Sequence, residues 1–265
     1  MTNDRLPPIG IGTYDMEPEV CRRSVETALN LGYRHVDTAE MYENERAIGE
    51  AIEAADVDRE DVLVATKVHS KHLGYDDAIE HALESADRLG VDAIDLLYIH
   101  WPIRAYEPED TLAAFDELYA RGLIRRVGLS NFTPDLLNEA LAHLDAPLAA
   151  HQVECHPLLH QDELRALAGT HDHTLVAYSP LAKGTVTEVP ELVEIADDRG
   201  ASPAQVSLAW LCSKDVVASP KATSEAHIRE NLASQELSLT DAEIARIDGI
   251  DRTRRLVDFD GAPWR

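Results

Sequence analysis

The run Gly32-Tyr33-Arg34-His35-Val36-Asp37-Thr38-Ala39 decides how this chain is read, together with Ala65-Thr66-Lys67 and Ile99-His100-Trp101-Pro102 further along. Each is the end of a short apolar stretch that stops on an ionisable group and gives way to a helical pattern. Tyr42 lies five residues past Asp37, in the loop before the next helix. When successive parallel strands end this way, their carboxyl ends converge on one rim, where sites are built in folds of alternating strands and helices.

The same alternation extends in both directions. Strands are expected over residues 9–14, 33–37, 62–67, 93–100, 124–130, 148–154, 174–179 and 216–220. Several are nearly continuous apolar runs, as expected of strands covered on both faces. Helices are expected between them over 18–30, 46–55, 76–89, 109–120, 134–143, 162–168, 190–199 and 203–212. Thr133-Pro134 and Ser202-Pro203 are N-cap and first-turn pairs. Eight such units predict an α/β fold, a (β/α)8 TIM barrel, forming one domain over residues 1–265. Two further helical segments, 227–234 and 241–250, follow the last strand. The tail from Arg252 to Arg265 is irregular and carries Phe259 and Trp264; it either frays or folds over the rim.

Composition narrows the function classes. Lys+Arg is 24 against Asp+Glu 49, a formal charge of −25. Only five lysines occur, Lys67, Lys71, Lys183, Lys214 and Lys221. A dispersed acidic surface poor in lysine is that of a protein kept soluble in concentrated salt, and a halophilic source is expected. Nucleic acid is not an expected partner, because phosphate contacts need clustered cations. No apolar run is long enough to span a bilayer, and no signal-peptide core is visible near the start, so no membrane and a cytoplasmic location are expected. A monomer is expected. Cys21, Cys155 and Cys212 are far apart and form no metal or redox pattern.

Taken singly, Asp37, Tyr42, Lys67 and His100 each have a plain structural reading: a loop cap, a rim aromatic, a solvated lysine, a core histidine. Delivered to one barrel mouth, they make a chemical set. A phenol has a pKa of about 10, too weak an acid for neutral pH. An adjacent ammonium, held by a carboxylate, is expected to lower it. A neutral imidazole can donate to a carbonyl oxygen and stabilise the charge that develops there. The set can protonate a carbonyl oxygen while a hydride reaches its carbon. A metal-dependent reading from His69, His72 and His100 lacks paired strand-end histidines, and Lys67 would repel a cation. No metal is expected.

In its motifs the chain resembles the aldo-keto reductases. Gly32 to Ala39 followed by Glu45-Arg46-Ala47-Ile48-Gly49 resembles that family's N-terminal signature. Thr66-Lys67 and His100-Trp101-Pro102 resemble its next two blocks. Gly128-Leu129-Ser130-Asn131-Phe132, Gln152-Val153-Glu154-Cys155-His156-Pro157, Tyr178-Ser179-Pro180-Leu181 and the segment from Pro220-Lys221 to Glu230-Asn231 resemble its cofactor blocks. The resemblance implies reduction of aldehydes and ketones to alcohols with a nicotinamide cofactor, NADP, and a small-molecule carbonyl substrate. It makes Tyr42 the general acid with Asp37, Lys67 and His100 as partners. It places Ser130, Asn131 and Gln152 on the nicotinamide carboxamide, Tyr178 against the ring, and Ser179, Leu181 and Lys183 at the pyrophosphate. Lys221, Thr223, Ser224, His227, Glu230 and Asn231 would surround the adenosine end, and Tyr14, Trp101 and Trp264 would line the substrate mouth. A non-catalytic nicotinamide-binding redox sensor on the same fold is the alternative.

Departures from the family pattern carry further expectations. The hairpin that closes the barrel floor is shortened or absent, because eight residues precede Ile9. The loops after His100 and Leu181 are short, which implies an open pocket. His151 stands where asparagine is common, Ala222 where a hydroxyl residue is common, and His227 where arginine is common. NADPH should therefore be favoured with NADH still usable.

Overall fold

The computed structural model describes residues 5–265. Eight parallel strands follow one another around the sheet in chain order: β1 (Ile11–Gly12), β2 (His35–Asp37), β3 (Leu63–Val68), β4 (Leu96–Ile99), β5 (Val127–Ser130), β6 (Leu148–Glu154), β7 (Thr174–Tyr178) and β8 (Val217–Ala218). The sheet curls until its two edges meet. Gly10 N–H donates to the Ala218 carbonyl at 2.8 Å, Ala218 N–H to Pro8 at 2.9 Å and Gly12 N–H to Pro220 at 3.1 Å. These bonds close a (β/α)8 barrel, which removes both sheet edges.

Eight helices alternate with the strands: α1 (Pro18–Leu31), α2 (Glu45–Ala54), α3 (Tyr75–Leu89), α4 (Pro108–Ala120), α5 (Pro134–His143), α6 (Asp162–Thr170), α7 (Pro190–Arg199) and α8 (Pro203–Ser213), the last two on the β7–β8 connection. α9 (Glu225–Ala233) and α10 (Asp241–Asp248) are the two expected extra segments. The helices starting at Pro18, Pro134, Pro190 and Pro203 begin where the sequence placed them, and α4 begins one residue earlier than expected, at Pro108. At α8 the Ser202 hydroxyl accepts from Gln205 N–H while the Gln205 side chain accepts from Ser202 N–H.

Strand ends are shorter than the sequence predicts. β1 and β8 are two-residue ladders because their flanks meet only at the closure, through the isolated bridges Ile9–Ala218 and Gly12–Lys221. β4 starts late because the Asp95 side chain, not a strand carbonyl, takes the Val64 N–H at 3.0 Å, while Arg59 pairs with the same carboxylate oxygen at 2.7 Å.

Alternation along the strands separates two cores. Val36, Val64, Val68, Leu97, Ile99, Leu129 and Val153 turn outward and join the helices in one continuous apolar layer. Ala65, Leu96, Tyr98, Ala150, Val176 and Val217 turn inward and pack with Leu6. No hairpin precedes β1 among the described residues; residues 1–4 of the expected hairpin region lie outside them. Leu6 is buried in the barrel interior, where it contributes apolar contact to the inward layer. The interior also explains two glycines. A Cβ on Gly128 would lie 2.3 Å from the Tyr98 ring, and one on Gly10 2.7 Å from the His35 ring.

Candidate active site

One step further along each strand, the inward positions change character. Above His35, Ala65, Tyr98, Gly128, Ala150 and Val176 stand Asp37, Lys67, His100, Ser130, Gln152 and Tyr178. The period of two that fills the barrel with apolar groups thus delivers a polar layer to its carboxyl rim.

Lys67 is the centre of this layer and is only 1% exposed. Its ammonium donates to Asp37 Oδ1 at 2.7 Å and to the Thr38 carbonyl at 2.6 Å. Gln152 Nε2 donates to the other oxygen, Asp37 Oδ2, at 2.6 Å. Burial pushes the Lys67 pKa down, with the Asp37 charge opposing it. Tyr42 closes a single 3₁₀ turn, Glu40–Tyr42, and its ring centre lies 5.4 Å from Lys67 Nζ and 5.8 Å from the His100 ring. The imidazole of His100 is held well below its ordinary pKa by burial, then by the charges of Lys67 and His69, so it is neutral. Its Nδ1 is buried without a partner.

One expectation is corrected here. The sequence reading has Lys67 lowering the Tyr42 pKa. In the structure the phenol is pushed well above its ordinary value, by burial first and then by the nearby Asp37, Tyr178 and Tyr14. The reason is geometric: Lys67 turns toward Asp37 and Thr38, so its charge is matched by a carboxylate that itself disfavours a phenolate. Tyr42 therefore holds its proton throughout the ordinary pH range.

The loop of Tyr42 is fixed by Asn44, a residue the motif reading passed over. Asn44 Oδ1 accepts from the Thr38 hydroxyl at 2.8 Å, and its amide donates to the Thr13 carbonyl at 3.0 Å. It thus joins the loop of Tyr42 to the loop of Tyr14, whose rings meet edge-on at 5.2 Å. Behind the rim, Thr66 turns outward and donates to Glu45 Oε1 at 2.5 Å, and Arg88 Nε donates to Glu45 Oε2 at 2.7 Å. One buried carboxylate ties β3, α2 and α3 together beneath Lys67.

The proposed nicotinamide residues lie side by side. Asn131, in the left-handed region at φ 66°, donates to Ser130 Oγ at 3.0 Å and to the His100 carbonyl at 2.9 Å. Tyr178 OH donates to Asn131 Oδ1 at 2.8 Å. Ser179 and Leu181 follow on the next turn, and Lys183 stands exposed. Lys221, Thr223, Ser224 and His227 are exposed around the start of α9, where Ser224 caps the helix by accepting from His227 N–H. Glu230 is half-buried and Asn231 buried on the same helix. Lys221 reaches across the rim to the Asp15 carbonyl at 2.6 Å.

The tail folds over the rim. Trp101 meets Phe259 at 5.0 Å and Trp264 at 5.5 Å between ring centres, and the Arg255 guanidinium lies 4.0 Å from the Trp264 ring. Tyr14 and these aromatics border the mouth. The anchor is Glu154, fully buried at the end of β6: its two oxygens accept from Leu256 N–H at 2.7 Å and Val257 N–H at 2.8 Å, with His156 Nε2 at 3.0 Å. The sequence reading put Glu154 and His156 in a cofactor block. Here His156 holds Glu154, and the backbone partners of Glu154 are in the tail, more than 100 residues away in the chain, which no local spacing could reveal.

Comparison with known proteins agrees with the geometry. Residues 8–252 match the aldo/keto reductase family. The chain is 37% identical over 261 residues to methylglyoxal reductase DkgB of Yersinia pestis, covering 97% of each. It superposes on the aldose reductase of Schistosoma japonicum with a TM-score of 0.92 at 30% identity, covering 97% of this chain and 93% of that one. An aldo-keto reductase of Bombyx mori in complex with NADP gives a TM-score of 0.89 at 27% identity, covering 96% and 92%. This chain belongs to the aldo/keto reductase family, whose activity is NAD(P)H-dependent reduction of carbonyl groups.

Proposed function

We propose that Tyr42, Lys67, Asp37 and His100 carry out the carbonyl reduction of this enzyme as a single unit, and that the unit serves small aldehydes and ketones. The observation that supports this best is the buried Lys67 bridged to Asp37 directly beneath Tyr42 and beside a neutral His100. Burial of a lysine is costly unless it is paired and hydrogen-bonded; Asp37 and the Thr38 carbonyl meet that need here, and the result is a fixed cation under a proton donor.

The donor set fits NADP(H). Ser130, Asn131, Gln152 and Tyr178 supply polar groups along one side of the mouth, and the N-terminus of α9 with Lys221, Thr223, Ser224 and His227 offers cations and N–H donors suited to a phosphate. Two of only five lysines, Lys183 and Lys221, fall on this path. When bound, the reduced nicotinamide supplies the hydride.

The protein's own part is to orient the carbonyl and deliver the proton. His100 donates to the substrate oxygen and fixes it near Tyr42. Tyr42 then gives its phenolic proton to that oxygen as negative charge builds there. Lys67 stabilises the phenolate that remains, and Asp37 with Gln152 keeps Lys67 in place. Because Tyr42 keeps its proton until charge develops on the substrate, proton transfer is demanded late rather than offered early.

The mouth, bordered by Tyr14, Trp101, Phe259 and Trp264, suits small substrates that pack against aromatic faces. NADPH is preferred over NADH, and NADH is usable. The enzyme is a cytoplasmic monomer of one domain that binds neither nucleic acid nor membrane. A formal charge of −25 works against self-association and against nucleic acid, and no helix among the described residues is long and apolar enough to cross a membrane. The test is an initial-rate panel with methylglyoxal, a nitrobenzaldehyde and simple sugars, using both cofactors. Turnover of the reactive aldehydes by the wild type but not by Tyr42→Phe supports the reading. NADPH binding without turnover of any carbonyl would favour a sensor instead.

A further inference from the structure

Next to the catalytic turn, and unused by the reaction, lies a second cluster. Glu40 opens the 3₁₀ turn that Tyr42 closes. Its Oε2 accepts from the His69 backbone N–H at 2.9 Å, just past β3. Its Oε1 faces two imidazoles by the same ring atom: His72 Nδ1 at 3.0 Å and His81 Nδ1 at 2.6 Å. The two rings are stacked at 3.6 Å and nearly parallel at 9°. All three side chains are half-buried or better, so their heads are held but reachable.

We propose that Glu40, His72 and His81 form a binding site for a divalent transition-metal ion of the zinc type. The three ligand atoms lie within 4.8 Å of one another, and no other group of three or more His, Cys, Asp or Glu converges this closely among the described residues. Two imidazole nitrogens and one carboxylate oxygen are a donor set for Zn2+, Co2+, Ni2+ or Cu2+, whereas Mg2+ and Ca2+ ask for oxygens throughout. Zinc bonds of about 2.0–2.1 Å in a tetrahedron put ligand atoms about 3.3 Å apart. The His72-to-Glu40 distance, 3.0 Å, is near that value, and the His81-to-Glu40 distance, 2.6 Å, opens toward it as an ion enters. The two rings need only fan outward from their stack to aim both nitrogens at one ion.

The surroundings favour the ion too. The His69 N–H fixes one oxygen of Glu40 and leaves the other for the metal, an outer-sphere support of the usual kind. Glu84 Oε2 lies 3.8 Å from His81 Nδ1 and can serve as a fourth ligand or a nearby negative charge. The net charge of −25 raises the local concentration of cations. The site would cross-link three pieces of chain: the catalytic turn, the loop after β3, and α3.

The test uses tag-free wild-type protein in about 1 M KCl, which screens diffuse cation binding to the acidic surface. Isothermal titration with ZnCl2 should show one equivalent bound, and free zinc at about ten times the Kd so measured should raise Tm by a few degrees. CoCl2 should give the visible absorption of a low-coordinate site, and MgCl2 should do nothing. The double variant His72→Ala/His81→Ala and the isosteric Glu40→Gln should each lose the titration and the Tm rise. Both are first melted without metal, so a folding defect is seen directly; if one unfolds, His81→Asn replaces it. Metal-free carbonyl reduction by the histidine variants should match the wild type. No zinc binding above the MgCl2 background, or binding retained at the same Kd in these variants, overturns the proposal.

Discussion

At the scale of single residues, the proposed chemistry rests on one proton and the groups that hold it. Among the described residues, Tyr42 is the phenol whose ring lies near both Lys67 Nζ, at 5.4 Å, and the His100 ring, at 5.8 Å. Tyr42→Phe keeps the ring, its edge contact with Tyr14 and the shape of the mouth. It removes only the hydroxyl and with it the proton, so carbonyl reduction should fall by about 10²- to 10⁴-fold. Cofactor affinity, measured by quenching of protein fluorescence on titration with NADPH, should change little, because the proposed cofactor residues lie on β5 to β7 and α9. Turnover within a few-fold of wild type would remove Tyr42 from its role. A second residue-scale outcome concerns His227. This imidazole stands at the start of α9, where the resemblance leads one to expect arginine, and it lacks the planar bidentate fork of a guanidinium. A charge-assisted hydrogen bond contributes about 1.5–3 kcal/mol, or one to two decades in affinity. His227→Arg should therefore raise the NADPH-over-NADH ratio of kcat/KM by about 10- to 100-fold. Strict NADPH dependence of the wild type, or an unchanged ratio in the variant, would sink this account.

At the scale of elements, the active layer depends on a brace that the mouth does not show. Glu45 is buried with Thr66 on one oxygen and Arg88 on the other, so α2, β3 and α3 meet at one carboxylate behind Lys67. Arg88→Met removes one partner and keeps most of the packing. Breaking a fully buried pair costs about 3–5 kcal/mol; because Arg88 is 30% exposed along its side chain, about 2 kcal/mol is expected. The measurement is urea unfolding, with an unchanged midpoint as the contrary result. This brace marks the boundary of what the sequence reveals. The ten α-helices and eight strands of the described residues could be read from apolar periodicity and proline-started helices, since those signals are local. Asp37, Lys67 and His100 could be read as rim residues because strand ends are local too. Three things could not be read. Glu45 and Glu154 owe their roles to partners 21 to 103 residues away. Strand ends moved because Asp95 captured a backbone N–H and because the barrel closed through isolated bridges. The direction of the Tyr42 shift depended first on how deeply the fold buries the phenol and then on Asp37 facing it, and a list of neighbours does not contain that information.

At the scale of the whole molecule, two electrostatic effects oppose each other, and separating them gives the final expectation. A net charge of −25 makes the folded chain repel itself. At about 1 M salt the Debye length is near 3 Å, so most of that repulsion vanishes. Tm should rise between low and molar KCl at pH 7.5, and a fall would contradict the reading. Acid acts through the interior instead. Burial holds His35 at a pKa of about 4, His151 at about 3 and His173 at about 4, and neither ring nitrogen of any of the three has a hydrogen-bond partner. Unfolded, each returns to about 6.5. Between pH 6.5 and the folded value, the unfolded chain binds a proton that the folded chain refuses, so stability rises with pH across that window and is lost as pH falls through it. Each histidine contributes up to about 1.4 kcal/mol per pH unit, and three together about 4, against a total stability of about 5–15 kcal/mol. Lowering pH also reduces the net negative charge, which works the other way at low salt. In molar KCl that counter-effect is screened, so the loss should be steepest there: a Tm near its plateau at pH 7.5, a clear drop by pH 6, and unfolding close to pH 5. His151→Asn keeps a polar group of smaller size and removes one titrating site, and should make the Tm-against-pH slope about one third shallower. A flat profile from pH 7.5 to 5 in high salt, or a variant as steep as the wild type, would show that these buried imidazoles do not set the acid limit of the fold.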